Sequence, residues 1–168
     1  MNHLKVNPIG IDFAIQKLQV YLYDKLGYSN FNGYGRCYPI EREGKTTPNR
    51  YVGNNEYEEV LLNDNLSGHF FFTENPVSKK NTSGLLETEV SIIFLVDLSK
   101  IKPSVERTDE EVRMEIEQIL WHKNTQFPIT EIVRGQKVLE DFDSDNFDMQ
   151  PYCFLKFKGL LKYNINDC

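Results

Sequence analysis

The sequence predicts an α+β domain: a mainly antiparallel β-sheet with long hairpin loops, flanked by an N-terminal helix and a second helix. Three observations predict it. Apolar residues at Ile11, Ile15, Leu18, Leu22 and Leu26 fall on one helical face. Two long runs, 87–98 and 152–165, alternate with the period of a strand. Between them lies a second helical stretch with an N-terminal capping signal at Thr108-Asp109-Glu110-Glu111. At 168 residues the chain is long enough for one domain, 1–168, with a substantial core.

The elements follow in order. The first helix is expected over 8–26, with Asn7 as cap, Pro8 in the first turn and Gly27 as the stop. Residues 28–38 interleave Tyr28, Phe31, Tyr34 and Tyr38 with glycines, a composition common at protein interfaces. A short strand is expected near Gly35–Glu41. The polar, turn-rich stretch 42–56 reads as a projecting loop, and 75–86 as a second. Between these loops, Tyr57–Leu62 and His69–Glu74 read as the two strands of a hairpin.

The strongest strand is 87–98. Thr88, Val90, Ile92, Phe94, Val96 and Leu98 lie on one face, and the middle is apolar on both faces, as in a central strand. The second helix is expected over 108–123, burying Val112, Ile116, Ile119 and Leu120. Ile129–Arg134 reads as a short strand and Gln136–Phe142 as a helical turn or two. The closing strand 152–165 sets Cys153, Leu155, Phe157, Leu161 and Tyr163 on one face, with Lys156, Lys158 and Lys162 on the other. The core is expected to gather Ile15, Leu18, Leu22, Ile92, Phe94, Ile116, Leu120, Leu155 and Phe157.

Composition narrows the function. With 19 Lys+Arg against 25 Asp+Glu the net charge is −6, which argues against coating nucleic acid by general attraction. No apolar run approaches the roughly 20 residues of a membrane span. Nor does an apolar signal core follow Met1–Lys5. Cys37, Cys153 and Cys168 are odd in number and lack CxxC spacing, so no disulfide scaffold or zinc site is expected. Alanine occurs once, at Ala14, while Asn, Lys and Ile are plentiful, a bias typical of AT-rich coding sequence.

Several motifs invite chemistry. Asp141, Asp143 and Asp145 match the first three ligand positions of an EF-hand loop, but the sixth position is Asn146 rather than Gly and the twelfth is Tyr152 rather than Glu. A solvated acidic segment, 140–148, is the plainer reading. His3, His69 and His122 have no metal-ligand spacing, and Cys37 with a distant histidine is a thin case for a nucleophile. There is no GxSxG, and no GxxxxGK[ST] loop. The lysine row with Phe154 between could meet phosphate, although alternating lysines on a strand more often face water. No catalytic residue, cofactor or metal is therefore expected.

The order of a helix at 8–26, a loop-rich antiparallel sheet, a strong strand at 87–98, a capped helix at 108–123 and a closing strand at 152–165 resembles the tail-terminator or tail-completion proteins of tailed bacteriophages. The Asn/Lys/Ile-rich composition is similar to that of crAss-like phages. The resemblance implies a structural virion protein that forms a homo-oligomeric ring in the neck. Such a ring joins portal or adaptor to tail and gives the DNA a passage, with no enzymatic activity and no membrane. It would assemble in the host cytoplasm. Loops 42–56 and 75–86 correspond by position to the hairpin arms of such proteins. Arg50, Tyr51, Lys79 and Lys80 are the contact residues expected there, because Arg and Tyr favour interfaces and Lys meets acidic neighbours. The acidic segment 140–148 is longer than that fold requires. Two other classes remain: a small soluble binding module, immunity- or antitoxin-like, with an acidic surface, and a nucleic-acid factor using the lysine strand.

Overall fold

The computed structural model describes residues 1–60, 64–104, 108–143 and 151–164. The chain runs β1 (Asn2–His3), α1 (Ile11–Leu26), β2 (Phe31–Arg42), β3 (Lys45–Gly53), β4 (Glu56–Glu59), β5 (Gly68–Lys80) and β6 (Leu86–Asp97). It continues through α2 (Leu98–Ile101), α3 (Asp109–Trp121), β7 (Ile129–Arg134), a 3-10 turn (Gly135–Leu139) and β8 (Tyr152–Tyr163). The fold is α+β, with one large, mostly antiparallel sheet. Its strand order is β4-β3-β2-β5-β6-β8-β7, with β1 added beside β2. Only the β1–β2 and β2–β5 pairs are parallel among the described strands.

The amphipathic patterns explain the layers. Helices α1 and α3 lie on one face of the sheet and bury Ile15, Leu18, Leu22, Val112, Ile116 and Leu120. Beneath them the sheet contributes Phe70 and Phe72 from β5, Ile92 and Phe94 from β6, and Leu155 and Phe157 from β8. All nine expected core residues therefore belong to one cluster. The Phe94 ring lies between those of Phe70 and Phe157, with centroids 5.4 and 5.8 Å away, in tilted and edge-on contact. Position 159 of β8 carries no side chain, and the Phe127 ring occupies that space. A Cβ there would come within 2.7 Å of both Phe127 and the Pro128 carbonyl. Glycine thus lets the turn after α3 close onto the sheet.

The opposite face is covered differently. Phe71, Ile93, Leu95 and Phe154 point into a smaller cluster closed by Cys37, Val60, Val138, Leu139 and Phe142. This cover comes from the 3-10 turn and from β2, which bends beyond its irregular register at Gly33–Arg36. The Asp143 carboxylate accepts from the Thr46 N–H at 2.7 Å, and the Asp143 N–H donates to the Thr46 carbonyl at 2.8 Å, tying β3 to the end of this cover.

Several expectations need correction. Helix α1 starts at Ile11 with Gly10 as N-cap. Asn7, the expected cap, has φ 52, and Pro8 precedes the helix. Gly27 ends it as expected, in the left-handed conformation, with its N–H on the Tyr23 carbonyl. Residues 42–56 are mostly strand, not a loop: β3 and β4 with tight turns at Glu43-Gly44 and Asn54-Asn55. Residues 75–86 are likewise the far end of the β5–β6 hairpin, with only 81–85 outside the strands. Tyr57–Leu62 and His69–Glu74 do not form a hairpin. Strand β4 pairs with β3, and β5 pairs with β2 and β6. Leu61, Leu62 and Asn63 lie outside the described residues. Thr108 is the N-cap of α3, but its side chain makes no capping bond. That helix ends at Trp121 and continues as turns.

Candidate functional site

The four expected contact residues lie on two separate parts of the sheet. Arg50 and Tyr51 are on β3, and Lys79 and Lys80 are near the end of β5, with β2 between the two strands. The register of β3 against β4 sets Arg50 opposite Glu58 and Tyr51 opposite Tyr57. Arg50 is already engaged. It holds the Glu58 carboxylate at 2.5 and 3.1 Å, reaches His3 Nδ1 at 2.8 Å, and lies over the Tyr34 ring. Since guanidinium can only donate, Nδ1 accepts, and a neutral His3 carries its proton on Nε2. Burial, then the Arg50 charge, lowers the His3 pKa. Tyr51 remains half-exposed, its ring edge-on to Tyr57 and its hydroxyl accepting from the Asn55 N–H. Lys79 and Lys80 are exposed and form no ion pair among the described residues.

A polar cleft of about 350 Å³ lies beside Arg50, between the N-terminal segment, α1 and β2. Its charges form a chain. Lys5 pairs with Asp12, Arg36 Nε lies 2.9 Å from Asp12 Oδ1, and Arg36 also pairs with Glu74. Burial opposes the Arg36 charge, but Asp12 and Glu74 outweigh it and raise its pKa. Asp12 and Glu74 offset Lys5 and Arg36, Arg50 is held by Glu58, and among the described residues the Met1 ammonium is bonded only to the Phe31 carbonyl and Asn32. A larger groove of about 780 Å³ runs between α2, the start of α3 and β8. Its Arg113 and Arg134 are both bound to Glu110, at 2.6 and 2.9 Å.

The other sequence candidates are largely absorbed by the fold. Cys37 is buried, and burial pushes its thiol pKa far up, the opposite of an activated nucleophile. His69 is buried with Nε2 unpartnered among the described residues, its ring against Phe71 and Tyr34. Asp141 binds Lys156 and Asp143 caps Thr46. The rest of the acidic segment, 144–148, lies outside the described residues, as does Ile165.

The lysine row does not face water as a comb. Lys156 is 3 % exposed and paired with Asp141 at 2.7 Å, while Lys158 pairs with Glu131 and Lys162 approaches Glu87. Phe154, two residues before Lys156 on the same strand, is buried. The aromatic segment 28–38 mostly covers the sheet: Phe31 is buried, and Tyr28 donates to Glu115 on α3 at 2.9 Å.

Sequence reasoning missed the acidic edge made by Glu56, Glu58 and Glu59, all exposed on β4. Its signal was the local Glu-Tyr-Glu-Glu run, which a charge scan detects. No protein-family model matches the sequence, and no curated protein matches it. Among the described residues no helix is long and apolar enough to cross a membrane.

Proposed function

We propose that this chain is a structural assembly protein, a ring-forming subunit of the neck of a tailed bacteriophage virion. In this reading it joins portal or adaptor to tail and leaves a passage for DNA. The observation that carries the proposal is the set of unpaired strand edges. Within the described residues, β4 and β7 each have one strand neighbour, and β5 loses its β2 neighbour after Phe72. Such edges present backbone donors and acceptors to a further strand. A subunit that leaves them open has the means to bind copies of itself or neighbouring proteins. The net charge of −6 suits a conduit, since acidic walls repel the DNA backbone.

The reading is non-catalytic and needs no cofactor. It is favoured over an acidic binding module because Asp141 and Asp143, two of the acids on which that module would rely, are spent on Lys156 and Thr46. Negative-stain imaging of the purified protein, alone and with co-expressed neck neighbours, tests it. Closed rings, or subunits seated on a neighbour's ring, are expected. Dispersed single subunits in every mixture would overturn the proposal.

A further inference from the structure

We propose that β4 of one copy pairs with Ser78–Lys80 of β5 in a second copy, a head-to-tail contact between an acidic and a basic strand edge. This deepens the assembly reading and rests on it.

The two edges are unpartnered in complementary ways. Strand β2 accompanies β5 from Gly68 to Phe72 and then turns away to pair with β3, while β6 follows β5 to Lys80. Residues 75–80 are consequently exposed throughout and flanked on one side only. Pro76 lies within the irregular register between Glu74 and Ser78 and lacks an N–H, so the usable ladder begins at Ser78. At the other end of the sheet order, β4 is exposed along its whole length and, among the described residues, flanked only by β3. The Tyr57 carbonyl accepts from the exposed Arg42 side chain at 3.2 Å, not from a strand, and a partner N–H can replace that bond.

Charge decides which edges can meet. Lys79 and Lys80 have no ion pair among the described residues, and neither do Glu56 and Glu59, whereas Glu58 is held by Arg50. Two β5 edges would set lysines against lysines, and two β4 edges glutamates against glutamates. Of the pairings between these two edges, the mixed one alone brings opposite charges together. Apolar side chains flank both edges: Val77 is 59 % exposed beside the lysines, and Tyr51, Val52 and Tyr57 are 37–45 % exposed beside the glutamates. Because the two edges differ, the contact is heterologous. It repeats from copy to copy until it closes a ring or runs on as a filament.

Charge reversal of the full chain tests this by sedimentation velocity. Lys79→Glu/Lys80→Glu makes both edges acidic, and Glu56→Lys/Glu59→Lys makes both basic. All four side chains are exposed, so thermal melting should match that of the parent protein. Each variant alone should associate about tenfold or more weakly than the parent. An equimolar mixture of the two should recover assembly, because acidic and basic copies can alternate. If the parent assembles but the variants assemble equally well, or the mixture fails to recover, this edge pairing is wrong while the assembly reading stands. A parent chain that stays monomeric at the highest attainable concentration overturns the edge pairing and removes the self-assembling ring with it.

Discussion

The two faces of the central strands solve the same burial problem with different chemistry. Toward α1 and α3, β5, β6 and β8 present Phe70, Phe72, Ile92, Phe94, Leu155 and Phe157, an aromatic and aliphatic layer. On the other face the same strands present Phe71, Ile93 and Leu95, but also the buried ring of His69 and the buried stem of Lys156. The first face is covered by two amphipathic helices that need only be apolar and roughly the right size. The second is covered by short segments, the 3-10 turn and the bent β2–β3 ribbon, held by particular polar contacts such as Asp141–Lys156 and Asp143–Thr46. One face therefore supplies bulk stability, and the other supplies positional constraint along with sensitivity to pH.

The largest test of that contrast is truncation on either side of one strand. Phe94→Ala should cost about 3–5 kcal/mol, and Leu95→Ala about 2 kcal/mol, because the thinner cover can settle into the space. Urea denaturation of both variants measures the difference. Equal losses would erase the distinction between the faces.

Next comes acid. His69 sits in apolar surroundings that push its pKa down to about 4 in the folded state, against 6.5 for the free side chain. The folded protein thus resists taking up a proton that the unfolded chain accepts. The contribution to stability is complete above pH 6.5 and is lost as pH falls toward 4, by about 3 kcal/mol in all. His69→Phe, which keeps a ring beside Phe71, should flatten the pH dependence of stability across that window. An unchanged acid slope would place the sensitivity elsewhere.

A smaller effect separates the two ends of the tie on the second face. Asp141→Asn leaves the largely buried Lys156 ammonium without its partner and should cost about 1–3 kcal/mol. Lys156→Met removes the charge and keeps the stem, and should cost less. The reverse ranking in thermal melts would mean that Lys156 contributes mainly through its charge. The smallest effect belongs at the margin of the helical face. Tyr28→Phe deletes the bond to Glu115 and should cost about 1 kcal/mol, since the pair is partly exposed.

The same contrast explains what was legible in the sequence. Helix α1, helix α3 and strands β6 and β8 bury regular stripes, so periodicity alone locates them. Strand β3 escaped because Thr46-Thr47-Pro48-Asn49-Arg50 is polar and contains proline. In the fold Pro48 stands directly opposite Pro39 of β2, so the two residues without N–H groups share one rung of the ladder. The partner of β5 escaped for another reason. Turn residues between 57–62 and 69–74 suggested a local hairpin, whereas β5 pairs with β2 about 37 residues earlier, as at Asn32 and His69, through contacts that no short window contains. Of the candidate site, residue types and exposure were readable at Lys79 and Lys80. The engagement of Arg50 was not, because it depends on the register that places Glu58 across from it.

Strand β2 is one continuous piece of backbone shared between two ribbons, parallel to β5 along its first half and antiparallel to β3 along its second. That gives the molecule a mechanical axis. A pull delivered at the β3–β4 end enters the body along β2 itself. There its bonds to β5 are loaded together in shear, instead of opening one after another as they do when a hairpin is unzipped. A chain gripped by that end would hand tension to its central strands before its core opened.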